Sequence, residues 1–358
     1  MRQILKLAVM SLVSLLACAA NASGPSLKAG AAKAEIAFDP KALPTGFTAV
    51  HDPVFARALI IDDGNRRAAL VSVGVGAIPD SVWSDVSARA SKSLGIAAEN
   101  LQITATHTHS VPRNIGPALP TAIMQALTAA DKKLQPANIA YGEGVSYINI
   151  NRNMIDPQTR TWWEGPNYDG PSDKTVAVVR VESTSGRPIA VYYNYAVHAV
   201  ITGQLDQISG DIPGATSRYI EESLGDGAVA LWSEGAAGDQ NPIFFQQTYD
   251  LRAIRIRDFA AKGIDISNDM PPGGQGLDRD NPEVQKLMQQ QVQMMSSMGQ
   301  MLGEEVLHVV RANLDRAETT PIIYGSQKVV TCPGRERTDK GRAGVPGTYV
   351  DADPIPIR

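Results

Sequence analysis

Apolar, β-branched runs of strand length alternate with amphipathic stretches of helical period through most of this chain, and that order admits few folds. Residues 55–61 and 67–75 read as a hairpin split by Asp62-Asp63-Gly64-Asn65. Asp80 is placed to cap a helix through Leu94, with Val82, Val86 and Ala90 on one face and Gly95 as its stop. In the strand 100–106, Leu101, Ile103 and Ala105 alternate with Gln102, Thr104 and Thr106. A helix is predicted over 121–134, and strands over 139–141, 175–181, 189–197 and 229–232. Asp211 is expected to cap a helix to Leu224, with Pro213 in its first turn, where a missing N–H costs nothing. A long helix rich in Gln and Met covers 283–314. A strand over 322–331 then turns at Pro333-Gly334-Arg335. Residues 265–282 read as a surface loop and residues 23–33 as a loose leader. The pattern predicts an α/β layered domain, with mixed β-sheets flanked by helices and a metal site at strand ends.

At 358 residues the chain is long enough for a large core. Lys+Arg 33 against Asp+Glu 37 gives −4, which argues against nucleic acid as a partner. Residues 1–22 read as a signal peptide: Arg2 and Lys6, an apolar run from Leu7, then Ala20-Asn21-Ala22. That places the mature domain, residues 23–358, in a secreted or periplasmic setting. Leu15-Leu16-Ala17-Cys18 also resembles a lipobox, which would anchor Cys18 to lipid. If Cys18 leaves with the signal, Cys332 stands alone and the fold rests on its core. The end of the chain, at 355–358, reads as the start of another strand in a domain cut short.

Chemistry gathers at three strand ends. These are Ala105-Thr106-His107-Thr108-His109-Ser110, the His198 segment followed by Ser209-Gly210-Asp211, and Gly235 to Pro242 with Asp239, Gln240 and Asn241. Ligands of open α/β sheets bind beyond the carboxyl ends of strands. The chain has 5 histidines, and His107, His109 and His198 fall in these clusters. Neutral imidazole is the commonest metal ligand near neutrality, and zinc accepts it readily. Asp239 and Asp211 are candidates to orient the rings, with turn formation and helix capping as their competing roles. His51 reads as a turn residue and His308 as a helix-surface residue. The methionines 288, 294, 295, 298 and 301 read as core, with a lipid-facing surface as the alternative.

Together these motifs, with Asn151-Arg152-Asn153 and Asp173-Lys174, resemble the neutral/alkaline ceramidase family. The resemblance implies a secreted zinc enzyme that hydrolyses the amide of ceramide or a related N-acyl substrate by metal-activated water. It implies His107 and His198 as Zn2+ ligands and His109, Asp239 and Asn241 as catalytic residues. It also implies Arg152, Asn153 and Gln240 as substrate contacts, with peripheral membrane contact allowed. The family reads Gly-Asp-Val-Ser-Pro-Asn where this chain has Gly238-Asp239-Gln240-Asn241-Pro242, so Asn241 stands for the Ser. Its loop His-Thr-His-Ser-Gly-Pro-Gly-Gly becomes His107-Thr108-His109-Ser110-Val111-Pro112-Arg113-Asn114, and Gly74 takes the place of an Asp. The family's further Glu and Tyr ligands lie downstream, with no matching motif before Arg358. The alternatives are a non-catalytic homologue that binds lipid or metal, and a His-x-His amidohydrolase barrel.

Overall fold

The computed structural model describes residues 27–155, 157–158, 160, 162–266, 270–271, 273–338 and 348–357. The signal segment and Cys18 lie outside them.

Two parallel strand pairs frame the domain. β1 (Lys28–Glu35), β2 (Ala49–Val50), β3 (Phe55–Asp62) and β4 (Arg67–Val73) lead into helix α1 (Asp80–Leu94) and β5 (Leu101–Ala105). β5 pairs parallel with β4, so α1 is the crossover that such a pair requires. After helix α2 (Ala118–Asp131) come β6 (Gln135–Val145), β7 (Asn149–Ile155), β8 (Trp162–Asn167), β9 (Thr175–Ser183) and β10 (Pro188–Tyr195). The short β11 (Gln207–Ile208) precedes helix α3 (Asp211–Leu224) and β12 (Val229–Glu234). β12 pairs parallel with β10, with α3 as that crossover. β13 (Gln240–Pro242), helices α4 (Gln246–Ala260) and α5 (Pro282–Ala312), and the hairpin β14 (Val330–Arg337)–β15 (Tyr349–Ile357) follow.

The main sheet runs β12-β10-β9-β6-β1-β3-β4-β5. Its middle is weak: β1 and β6 pair only at Lys28↔Pro136 and Ala29↔Gln135. The sheet folds over at that seam, and β12 packs across β3, β4 and β5. Strand alternation then fills three layers. Leu59, Ile61 and Leu70 meet Val181, Ile189 and Leu231 between the two halves. On the other face, Ala56, Ala58 and Ile60 pack on Val86 and Ala90 of α1 and on Ile123 and Leu127 of α2. Val191, Tyr193 and Tyr195 pack on Ile220 of α3 and on Met298 and Leu302 of α5. Burying each of these large side chains contributes roughly 1.5–3 kcal/mol. The result is a helix–sheet–sheet–helix sandwich, a layered α/β fold with mixed sheets.

Several expected elements hold with shifted ends, and some do not. Residues 23–33 were expected to be a loose leader, yet Lys28–Glu35 is a fully paired strand against β3. Its small residues are the reason: a Cβ on Gly30 would fall 2.3 Å from the Ala130 carbonyl of α2. Asp80 is not the cap of α1; Pro79 is, and no side chain caps that end. Gly95 does stop it, in the left-handed region. Asp211 does not cap α3 either. Gly210 holds the N-cap position, and Asp211 follows with a φ of 53°. Residues 322–329 carry no ladder, and the strand begins at Val330. It runs through Pro333-Gly334 with a register shift rather than turning there. β7, β8 and α4 were not foreseen. α5 starts one residue early because Pro282 fits its first turn, while Asn281 Oδ1 accepts from Glu283 N (2.9 Å). Met288, Met295 and Met298 are buried, whereas Met301 is 56% exposed, so most of the stripe is core. Cys332 is a free thiol on β14.

Candidate metal centre and cleft

The loop after β5 and the loop after β10 bring three imidazoles together. His107, His109 and His198 place their ring nitrogens within 4.8 Å of one another. The ring centroids are 4.8 Å apart for His107–His109 and His107–His198, and 5.5 Å for His109–His198. His107 sits at a φ of 58°, in a region that non-glycine residues rarely adopt and that collects at functional sites.

Backbone carbonyls aim two of the rings. His107 Nδ1 donates to the Gly76 carbonyl (2.8 Å) and His198 Nδ1 to the Ala237 carbonyl (2.7 Å). A proton fixed on Nδ1 leaves the Nε2 lone pair free to face a cation. Asp239 and Asp211, expected to orient the rings, bond elsewhere. Asp239 accepts from Asn151 Nδ2 (2.9 Å) and Gln240 Nε2 (2.7 Å). Asp211 accepts from Thr202 N (2.7 Å) and Thr202 Oγ1 (2.6 Å).

Asp211 still acts on the site from behind. Thr202 Oγ1 takes the Ser110 hydroxyl proton (2.6 Å), and Thr108 Oγ1 donates to the Ser209 carbonyl (2.9 Å). His109 N donates to the Ala199 carbonyl (3.0 Å). Thr108 and Ser110 are fully buried, and they alternate with His107 and His109, whose rings meet His198. This network ties the two histidine loops to each other.

Desolvation, then the charges of Arg152 and His107, push His198 down to about 4. Desolvation in the cleft, then His107, His198, Arg152 and Arg113, push His109 down to about 3. Both rings are neutral near pH 7, the form that binds metal. His107 Nε2 and His109 Nε2 are 3.3 Å apart, close to the ~3.3 Å edge of a tetrahedron with Zn–N bonds of ~2.05 Å. The three imidazoles are thus a set that could hold a metal ion.

A cleft of about 660 Å³ opens over His107 and His109. Its walls are apolar at Phe47, Ile78, Leu119 and Phe245, and charged at Arg113, Arg152, Glu164 and Arg252. β13 pairs antiparallel with β7, which sets Asn241 beside Arg152. Asn241 Nδ2 donates to Glu164 Oε1 (2.9 Å) and to Tyr249 Oη (3.3 Å), while its Oδ1 accepts from Arg152 (3.4 Å). Glu164 also meets Arg152 (3.8 Å) and Arg252 (3.4 Å). Asn153 and Gln240, expected to contact substrate, are not among the cleft-lining residues. Asn153 Oδ1 accepts from Trp162 Nε1 (2.8 Å), and Gln240 Oε1 accepts from Ser172 Oγ (2.6 Å). Glu164, Tyr249 and Arg252 were missed in sequence. Tyr249 and Arg252, three apart on a helix, share one face, and that was the available signal. The site is tight for the expected Asp at Gly74: a Cβ there would lie 3.1 Å from Val54 Cβ, which would have to give by a few tenths of an ångström.

Fold and site thus define a layered α/β domain with a three-histidine centre at strand ends. The chain belongs to the neutral/alkaline non-lysosomal ceramidase family, whose N-terminal model matches residues 45–333. It is 28% identical over 223 residues to neutral ceramidase B of Dictyostelium discoideum, covering 54% of this chain and 31% of that protein. It is 26% identical over 245 residues to the neutral ceramidase of Pseudomonas aeruginosa, covering 59% of this chain and 36% of that protein. The solved structure of neutral ceramidase from Pseudomonas aeruginosa overlays with a TM-score of 0.59 at 19% identity, covering 87% of this chain and 47% of that one. The matches thus span less than half the length of these relatives. Among the described residues, no helix is long and apolar enough to cross a membrane.

Proposed function

We infer that this chain carries the metal-binding half-site of a secreted, zinc-dependent amidohydrolase acting on ceramide or a related N-acyl lipid. The observation that carries the reading is the convergence of three imidazole nitrogens within 4.8 Å, two with their tautomer set by a carbonyl. His107, His198 and His109 would hold the cation. When bound, zinc lowers the pKa of water and polarises an amide carbonyl.

The chain's own residues do the rest. The apolar cleft walls take the acyl chain out of water. Arg152, held by Asn241 and Glu164, offers its guanidinium to the carbonyl oxygen side of the amide. The resemblance assigns proton transfer to His109. With its basicity pushed down to about 3, this ring is a better ligand than a proton donor near pH 7. Asn241 cannot be a nucleophile in the way a serine is. In this reading it positions Arg152 and Glu164 instead.

The test is hydrolysis of an N-acylsphingosine by the zinc-loaded protein, beside His107→Ala and His198→Ala. Release of fatty acid by the parent alone supports the reading. A zinc-loaded parent without turnover on any N-acyl amide favours the homologue that binds without catalysis, for which Asn241 is the motive.

A further inference from the structure

The charge in the cleft does not balance. Among the described residues its lining includes three guanidiniums, Arg113, Arg152 and Arg252, against a single carboxylate, Glu164. Glu164 is already shared by Arg152 at 3.8 Å and Arg252 at 3.4 Å. Arg113 is different: it is exposed, and no carboxylate pairs with it among the described residues.

Its position matters. Arg113 lies on the histidine loop itself, just beyond His109. It lines the histidine cleft and two neighbouring depressions, so it stands at the junction where a bound molecule would leave the cleft. An unpaired guanidinium on the rim of an apolar cleft is suited to bidentate capture of a carboxylate or a similar oxyanion. A neutral headgroup would leave that charge unanswered.

We propose that the amide substrate of this site is an anionic amphiphile of the N-acyl amino acid class, with Arg113 binding the headgroup carboxylate while the apolar walls take the acyl chain. The proposal rests on the amidohydrolase reading for the amide, and adds a specificity-determining residue. A planar fork on Arg113 would hold the carboxylate, and the amide one or two bonds away would then lie toward the histidines.

The experiment is direct binding, which does not depend on turnover. Calorimetry compares N-dodecanoylglycine with N-dodecanoylethanolamine, same chain and amide, on the purified parent, on Arg113→Gln and on Arg113→Lys. The ratio of the two affinities is the readout. The parent should favour the carboxylate about 10-fold or more, the Gln variant should bring the ratio near 1, and the Lys variant should fall between, because a point charge replaces the fork. A parent ratio near 1, or a ratio preserved in Arg113→Gln, overturns the proposal. If the carboxylate preference is present but neither amide is ever cleaved, the hydrolase reading fails while Arg113 keeps its role. If the ethanolamide is cleaved and the ratio is near 1, the reverse holds.

Discussion

His107 Nε2 and His109 Nε2 approach to 3.3 Å, although both rings come from one short loop. That spacing suits a proton shared between the two rings or a cation held by both. His107 already gives its Nδ1 proton to the Gly76 carbonyl, so its Nε2 is an acceptor. The strained φ of 58° at His107 is what folds the loop tightly enough for both rings to face one point. Thr202, Asp211, Ser110 and Thr108 hold that geometry from the buried side.

Thr202→Val should therefore weaken metal binding without touching a ligand. It removes the hydroxyl that links Asp211 to Ser110 at 2.6 Å on each side. Direct hydrogen-bond partners of metal ligands are worth roughly 10–100-fold in metal affinity, and Thr202, one step further back, should cost less than that. Zinc titration against a competing chelator measures it; an unchanged affinity in a folded Thr202→Val would disconnect the network from the site.

Glu221 anchors the packing of α3 on the strands. Its carboxylate accepts from Arg57 (2.7 Å), Lys33 (2.5 Å) and the Ala230 amide (3.2 Å), and both Arg57 and Glu221 are buried. Glu221→Ala leaves the Arg57 charge buried and unanswered, so a loss of about 3–5 kcal/mol is expected in urea unfolding. The double variant Arg57→Met with Glu221→Leu should recover most of it.

Glu234 makes stability fall as pH rises. Desolvation raises its carboxyl to about 9, and its Oε1 has no partner among the described residues while Oε2 accepts from Trp232 Nε1 (2.9 Å). Below pH 4.5 the folded and unfolded chains both hold the proton. Between 4.5 and about 9 only the folded chain does, so the unfolded state binds fewer protons and stability declines across that window. Glu234→Gln, neutral at every pH, should flatten this slope in chemical unfolding between pH 5 and 9. A slope identical to the parent's would mean that Glu234 ionises freely.

Arg255 holds the loop beside the cleft. Fully buried, with its pKa pushed down to about 10 by desolvation, it donates to the carbonyls of Pro271 (2.8 Å), Gly273 (2.7 Å) and Gln275 (3.0 Å) and to Gln204 Oε1 (2.7 Å). Arg255→Met strands these acceptors, at roughly 1–3 kcal/mol for each one left buried. Limited proteolysis should then cut between residues 264 and 281 several-fold faster than in the parent.

The layered fold and the three histidines were legible because both rest on side-chain pattern: apolar alternation for the strands, imidazole at strand ends for the site. β1 was not, since Lys28-Ala-Gly-Ala-Ala-Lys-Ala-Glu35 lacks β-branched residues. It is a strand because small residues let α2 approach, a tertiary reason that propensity does not carry. β7 reads Asn-Ile-Asn-Arg-Asn-Met-Ile; Asn149 and Asn151 are buried where they meet Lys174 and Asp239, and the half-buried Arg152 meets Asn241. The orienting partners of His107 and His198 were misassigned to Asp239 and Asp211 because the true partners are main-chain carbonyls, which leave no mark on residue type.

Zinc bound per chain tests the central claim most directly, measured by elemental analysis on the parent, His107→Ala and His198→Ala after dialysis against trace metal. The three-histidine centre predicts close to one zinc in the parent and almost none in either variant, with folding intact by circular dichroism. A folded parent without zinc, or variants that keep it, would contradict the account.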